Sequence, residues 1–522
     1  MTGANTVTSP SHPSQPSSGF DAAFADPSSA PPPGCPAHAL GPDGMRRLYG
    51  PEADADLAGV YEKLRAEHGS VAPVLIHDDV RMWAVLGHSE NLHMVRATSQ
   101  YNRDSRNWTA LKNGTVKPTH PLAPVFSWQP ITSMTEGAEQ LRLRGAVNEA
   151  LEIIDHRSLR RSINKATQEI INRFSERGEC EVVSEFAEHL PMMVMLEILG
   201  APEVYSERFV QAARDMIKGT ETAIASNEFI MGALMELTAR RRAAPEDDFT
   251  SRLIAAPAAL TDDEVGQHLR LVLIAAYEGT ANLIANVLRT VLTDPRFRAQ
   301  LNGGQMTVPE AVEQSLWDEP PFSAMVGYFA KVDTELGGQQ IRAGDGLIFG
   351  IAPGNVDPAV RPDPGAHMMG NRSHLAFGGG PHECPGQDIG RAIADIGVDA
   401  FLMRLPDAEL SIAESELKWR STILSQHLVA LPVSFTPRSQ QDVISKPSMV
   451  PPQRPDWHVS SGGPGAGGAS ASASSAATAA ASVPASAPVS GSAVGAGGRQ
   501  EPVEPRQRLG AWQRFLRWWR GY

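Results

Sequence analysis

The chain has 522 residues, a net charge of −13 and three cysteines, Cys35, Cys180 and Cys384. An odd, sparse cysteine count excludes a disulfide framework and fits a reducing cytoplasm. The C-terminal 86 residues carry nine Lys/Arg against four Asp/Glu, so the rest is strongly acidic, which argues against nucleic acid as a partner.

Residues 1–44 are rich in Ser, Pro, Ala and Gly, with only Asp21, Asp26 and Asp43 charged. They lack the hydrophobicity that offsets ordering entropy and are expected to be disordered. With no Lys or Arg before Arg46 and no long apolar stretch, they do not read as a secretory signal. Residues 45–436 have ordinary globular composition, uninterrupted by a linker, and are expected to form one domain. Residues 57–68 (LAGVYEKLRAEH) have helical spacing and stop at Gly69; residues 79–86 read as a strand. From about 135 to 293 the pattern is mostly helical.

One helix stands out. Thr261-Asp-Asp-Glu264 has the form of a capping box, and an apolar pattern then runs to Asp294-Pro295, where proline ends it. It is apolar on nearly every face and should be a buried central beam, although its continuous apolar runs, such as 271–276, are too short to span a bilayer. A second capping box, Thr307 with Glu310, opens a helix that stops before Pro320-Pro321. Residues 332–352 read as hairpin strands. A glycine loop then leads to Cys384 and a helix from Pro385 to Leu405. Residues 437–505 are Ser/Ala/Gly/Pro-rich, a disordered linker; the G-x-G-x-x-G match at 463–468 has no strand before it and is discarded as a nucleotide site.

Cys384 stands where a glycine loop meets a helix start. Free N–H groups and the helix dipole should lower its pKa there and favour the thiolate. Gly378, Gly379 and Gly380 remove side-chain bulk, so a flat ligand could lie against the backbone. A lone thiolate without Cys or His at zinc spacing points away from structural zinc. Two readings stay open on these grounds: a catalytic nucleophile, or the single axial ligand of a large planar cofactor.

Phe377, Gly380, His382, Cys384 and Gly386 together form F-x-x-G-x-H-x-C-x-G, which resembles the haem-binding loop of the cytochrome P450 family. The resemblance covers about residues 45–436 and keeps the order of elements: a long central helix, a helix ending at a double proline, a hairpin, then the cysteine loop. It implies a mainly α fold with a small β region, a single triangular prism-like domain. It implies haem b (iron protoporphyrin IX) with iron held by the Cys384 thiolate, a ligand that favours O–O cleavage. Phe377 would lie against the haem edge and His382 would face a propionate, with His374 and Arg144 as further propionate candidates. Pro385, expected at the first helical position, has no N–H to give the sulfur.

The pattern breaks in two places. In the long helix, Ala275-Ala-Tyr-Glu278-Gly279-Thr280 resembles the family's oxygen-side motif, but its usual threonine is Gly279. Glu278 and Thr280 are the expected proton-relay residues. In the helix before Pro320-Pro321 the family's Glu-x-x-Arg pair is missing: the arginine position is Trp317 and the acid position Gln314, or Leu316 and Glu313 after a one-residue slip. Glu313-Gln-Ser-Leu-Trp317 resembles a minor bacterial branch lacking the pair, and the third member, usually an arginine, aligns with Ala366. Gln314, Trp317 and Ala366 therefore read as one coordinated neutral substitution that strands no charge. Gln140 stands where the family often has a haem-contacting histidine.

Residues 506–522 (RQRLGAWQRFLRWWRGY) contain five arginines and no acid. Their aromatic face reads as an amphipathic helix for a membrane surface or a protein partner. The resemblance implies a cytoplasmic monooxygenase, peripheral at the membrane if the tail binds there. It would oxidise a small apolar molecule with O₂ and electrons from a ferredoxin and ferredoxin reductase. The alternatives are a non-oxygenating haem protein serving redox or gas response in a membrane-associated complex, or a peroxide-driven oxidase.

Overall fold

The computed structural model describes residues 41 and 44–443, apart from 118, 119, 121, 123–125, 153, 203–205, 219, 220 and 369. Cys35, the 444–505 part of the linker and the basic segment 506–522 lie outside the described residues. The fold is mainly α with a small β region. The labelled elements are α1 (Leu57–His68), β1 (Val71–Ile76), β2 (Val80–Val85), α2 (Gly137–Glu152), α3 (His189–Leu199), α4 (Ser206–Lys218), α5 (Asp262–Thr293), α6 (Val308–Asp318), β3 (Ala324–Ala330), β4 (Gly346–Gly350) and α7 (Gln387–Arg404).

Local sequence explains many boundaries. The Asp56 side chain caps α1 by accepting from Gly59 N, and Gly69 ends it at φ 80°, a conformation that suits glycine. Both predicted capping boxes form, Thr261 with Glu264 on α5 and Thr307 with Glu310 on α6. Helix α7 starts later than the sequence suggests: Gly386 is its N-cap and Gln387 its first residue. Pro385 therefore precedes the cap instead of occupying the first helical turn.

A six-stranded mixed sheet places edge strand Arg46–Arg47, then β1, β2, β4, β3 and edge strand Tyr101–Asn102 side by side. β1 and β2 pair antiparallel from Val71↔Val85 to Ile76↔Val80, and β2 joins β4 in parallel at Trp83↔Leu347. Asp78 and Asp79 at the β1–β2 turn adopt positive φ, as twist-compatible hairpin turns require; Asp79 is fixed there by Arg47 and Tyr49.

Helix α5 joins two cores. Its first half sends Val265, Leu269 and Leu273 among Phe209 and Val210 of α4 and Leu234. Its second half sends Ile284, Val287 and Leu288 among Leu190 of α3, Val312 of α6 and Val398 and Phe401 of α7. It is long and apolar enough to cross a membrane, yet 56% of its most apolar stretch is buried within the fold, as for a core helix. Between the halves, Ala275 is exposed and Ala276, Glu278 and Gly279 are half-buried. The central beam thus carries an open stretch at its middle. At the other end of the domain the chain packs past residue 436, where Gln441 N donates to Asn172 Oδ1 at 3.0 Å.

Candidate active site

The cysteine loop is built by backbone. Gly378 N donates to Leu375 O at 2.9 Å, Glu383 N to Gly380 O at 3.1 Å and Cys384 N to Phe377 O at 2.9 Å. Gly380, at φ 63°, runs against the backbone of Val95: a Cβ there would sit 2.2 Å from Val95 O. No other residue type meets both demands. Beside Gly386 the space is open.

Helix α2 clamps this loop. Gln140 Nε2 donates to Pro381 O at 2.8 Å and Arg144 Nη2 to Glu383 O at 2.6 Å. Gln140 thus ties down the loop from the position where a histidine is usual. His382 Nε2 donates to Glu136 Oε1 at 3.0 Å, and the same oxygen accepts from Arg103 N at 2.6 Å. The other ring nitrogen of His382, Nδ1, is buried with no hydrogen-bond partner.

Cys384 is a free, partly buried thiol. The expectation of a lowered pKa fails for the protein alone. Burial pushes the thiol up, and this outweighs the Gly386 N–H and the charges of Arg144 and Arg391. A cation bound to the sulfur would reverse that balance, because metal binding deprotonates its ligand. Cys180, pushed up to about 12 by burial, is an inert core residue.

On the facing helix, consecutive side chains point about 100° apart and are divided among three environments. Glu278 enters a cavity of about 100 Å³ shared with Glu188, Arg214, Tyr277, Asn282 and His427. Arg214 Nε donates to Glu188 Oε2 at 2.7 Å. Burial pushes the Glu278 carboxyl up to about 7. Gly279 faces Phe322: a Cβ there would lie 3.3 Å from Phe322 Cε2. Thr280 is buried, and its hydroxyl lies 3.7 Å from where a Cβ of Gly390 on α7 would be. Thr280 is thus packed between helices, away from the cavity that holds Glu278.

Residues from Glu136 to Gly386 thus gather about the cysteine loop, and they fit a haem. The sulfur is free, His382 keeps an unsatisfied buried nitrogen, Gly386 leaves open space, and Ala275 is exposed in the middle of a buried helix.

No protein-family model matches the chain. It is 30% identical over 403 residues to 2-hydroxy-5-methyl-1-naphthoate 7-hydroxylase of Streptomyces carzinostaticus, covering 74% of this chain and 96% of that protein. It is 28% identical over 406 residues to cytochrome P450 CYP107DY1 of Priestia megaterium, covering 74% and 97%. The fold matches CYP154C4 from Streptomyces sp. W2061 with a TM-score of 0.67 at 28% identity, covering 72% of this chain and 95% of that one. The chain belongs to the cytochrome P450 family. It is a haem-thiolate monooxygenase, an oxidoreductase of the soluble bacterial type, and the non-oxygenating alternative is not favoured.

Within this P450 the missing Glu-x-x-Arg pair has a different explanation from the one the sequence suggests. Charge is moved, not removed. Glu313 is buried; its Oε1 accepts from Arg391 Nε at 2.6 Å and its Oε2 from His374 Nε2 at 3.0 Å. Arg372 Nε lies 3.4 Å away. Burial would raise the Glu313 carboxyl, but the hydrogen bonds from His374 and Arg391 hold it below the usual range. A second pair joins α6 to the segment before the loop: Arg361 Nη1 lies 2.6 Å from Asp318 Oδ1. The Arg361 guanidinium also donates to Ala366 O at 3.2 Å, so an arginine does reach this segment, five residues from the expected place.

The two substituted positions bind backbone. Gln314 Oε1 accepts from Met368 N at 2.8 Å, and Trp317 Nε1 donates to Asn371 O at 2.8 Å. His374, expected at a propionate, is committed to Glu313. Sequence reasoning missed Arg391, Arg361, Glu136 and Phe322. Only the capping-box helix that carries Glu313 hinted at the first.

Proposed function

We propose that this P450 inserts one oxygen atom of O₂ into a small apolar molecule, using iron protoporphyrin IX held by the Cys384 thiolate. The observation that carries the reading is the free thiol at the end of a loop that backbone hydrogen bonds and α2 hold rigid. When bound, the haem supplies oxygen activation by a thiolate-ligated iron.

The chain's own residues do the rest. Cys384 would be the iron ligand, with the Gly386 N–H beside its sulfur and Pro385 withholding a further donor. His382, through its free Nδ1, and Arg144 would meet the propionates, while Phe377 packs beside the loop. Gly380 lets the loop lie against the Val95 backbone, and the open space beside Gly386 gives the flat group room. Glu278 holds a proton near neutral pH, where a group can both take and give it, and its cavity is where that proton would be renewed. Gly279 leaves no hydroxyl on the helix at the oxygen side, so a water or a substrate hydroxyl must complete the path. Thr280, packed against α7, is not part of it.

The relatives include a naphthoate hydroxylase and a mycinamicin IV hydroxylase/epoxidase; the first supports a small molecule with an aromatic ring as substrate. Electrons would come from a ferredoxin and its reductase in the cytoplasm. The domain would span 45–436 with its short extension. The tail 506–522 would anchor it to an anionic membrane surface or a partner, a reading that rests on sequence alone.

The test is turnover with ferredoxin, ferredoxin reductase and O₂ set against turnover with peroxide. Donor-driven product, reduced at least tenfold in Glu278→Gln with more peroxide released, supports the relay. Product from peroxide alone contradicts it.

A further inference from the structure

A cavity of about 210 Å³ lies between α1, the end of α6, the segment after β4 and the paired strands Trp419–Ser421 and Gln426–Leu428. It shares no wall residue with the cavity that holds Glu278. Leu57, Pro320, Pro353, Val356 and Trp419 make much of its wall apolar. Ala58 and Glu62, also on the wall, are exposed, so the space opens to solvent. An apolar hollow with a few polar groups is the usual form of a small-molecule site.

Two polar groups on this wall lack a protein partner. Tyr61 is 3% exposed, and its hydroxyl makes no hydrogen bond, although a buried tyrosine hydroxyl normally finds one. Glu319 Oε1 accepts from Arg289 Nη2 at 2.6 Å, but Glu319 Oε2 is buried and accepts nothing. The neighbouring Asp318 differs, since Arg361 Nη1 lies 2.6 Å from its Oδ1 and Gln314 Nε2 donates to its Oδ2 at 2.9 Å. Asn286 Nδ2 donates to Glu319 O at 3.0 Å. Asn286 and Arg289 both belong to α5, so the Glu319 carboxylate is already held in place, which lowers the cost of binding to it.

The charge of the wall is one-sided. Glu62, Asp318 and Glu319 line the space, and among the described residues no lysine or arginine does. The pair of Glu62 with Arg65 is long, at 3.7 Å. We infer that this cavity binds a small primary amine with an apolar body, its ammonium shared by the Tyr61 hydroxyl and Glu319 Oε2 and its body on the apolar wall. An ammonium has three donors, so one group satisfies both acceptors, and the bond to the carboxylate is charge-assisted. A neutral alcohol forgoes that charge, and an anion meets its own sign. The inference does not depend on the haem.

The probe is 2-phenylethylammonium, titrated by calorimetry into full-length, haem-loaded protein, with 2-phenylethanol and phenylacetate as its neutral and anionic counterparts. The Soret band is followed alongside, because an amine nitrogen that reaches the iron shifts it. The amine should bind saturably without that shift, about tenfold tighter than the alcohol, and phenylacetate should not bind. Tyr61→Phe and Glu319→Gln should each weaken the amine about tenfold. Ala58→Phe, at an exposed wall position, should abolish binding by filling the space while both partners remain, and it localises the site even if Glu319→Gln fails to fold. Lack of saturable binding, binding that always carries the iron shift, equal affinity for the alcohol, or an affinity unchanged in Tyr61→Phe and Ala58→Phe overturns the inference.

Discussion

The two sides of the site treat their departures from the family pattern differently. On the cysteine side, every lost group has a substitute. Gln140 binds the loop in place of a histidine, and Glu313 with Arg391 and Asp318 with Arg361 stand in for the Glu-x-x-Arg pair. On the oxygen side, Gly279 has no substitute hydroxyl; an aromatic ring, Phe322, closes on it. The cysteine side needs a rigid frame, and a frame can be rebuilt from any donors and acceptors that fill the same gap. The oxygen side needs a particular proton donor in a particular place, so what is lost there changes the chemistry.

The largest effect should come from forcing the family's residue back into the rebuilt frame. Trp317 is fully buried, and the acids of its own helix, Glu313 and Asp318, already pair with Arg391, Arg372 and Arg361. Trp317→Arg should cost about 3–5 kcal/mol, read as a fall in melting temperature and loss of haem. A melting temperature at or above wild type would mean the frame still has a vacancy for that charge. Next, the oxygen side should show its chemical debt in Glu278→Gln through pH. The carboxyl is raised from 4.5 to about 7, so the folded protein binds more protons and wild type loses stability as pH rises from about 4.5 to 7. The glutamine variant does not titrate. Its melting-temperature advantage should therefore grow across that window and level off above about 7, and a pH-independent difference would place Glu278 in water.

Smaller again is Gly279→Thr, which must displace Phe322. It should cost about 1–3 kcal/mol alone and less in combination with Phe322→Ala, measured by urea denaturation; equal costs would mean that the ring yields freely. The smallest is Pro385→Leu. An added N–H near the sulfur should raise the haem reduction potential, and an unchanged potential would show that this N–H does not reach it.

What the sequence made legible was local. Both capping boxes, the stop at Gly69 and the glycines of the cysteine loop are each decided within four residues of chain. The ion network was not legible because Glu313 and Arg391 are 78 residues apart, and neutral residues at the expected places looked like absence. The start of α7 was misplaced because Gly386 caps the helix and Pro385 merely precedes it. The packing of Thr280 against Gly390 of α7 is not legible either, because one step along a helix turns a side chain toward a different neighbour. The buried state of Cys384 was also out of reach, since a helix start argues for a low pKa and desolvation, which opposes it, depends on the whole fold.

The central claim is a bond from the sulfur of Cys384 to haem iron. Reduced, carbon monoxide-saturated protein reports it directly. Wild type should show the Soret band of a gas bound opposite a sulfur anion, and Cys384→Ser should lose that band. A serine variant that keeps the same pigment with the same band would contradict it.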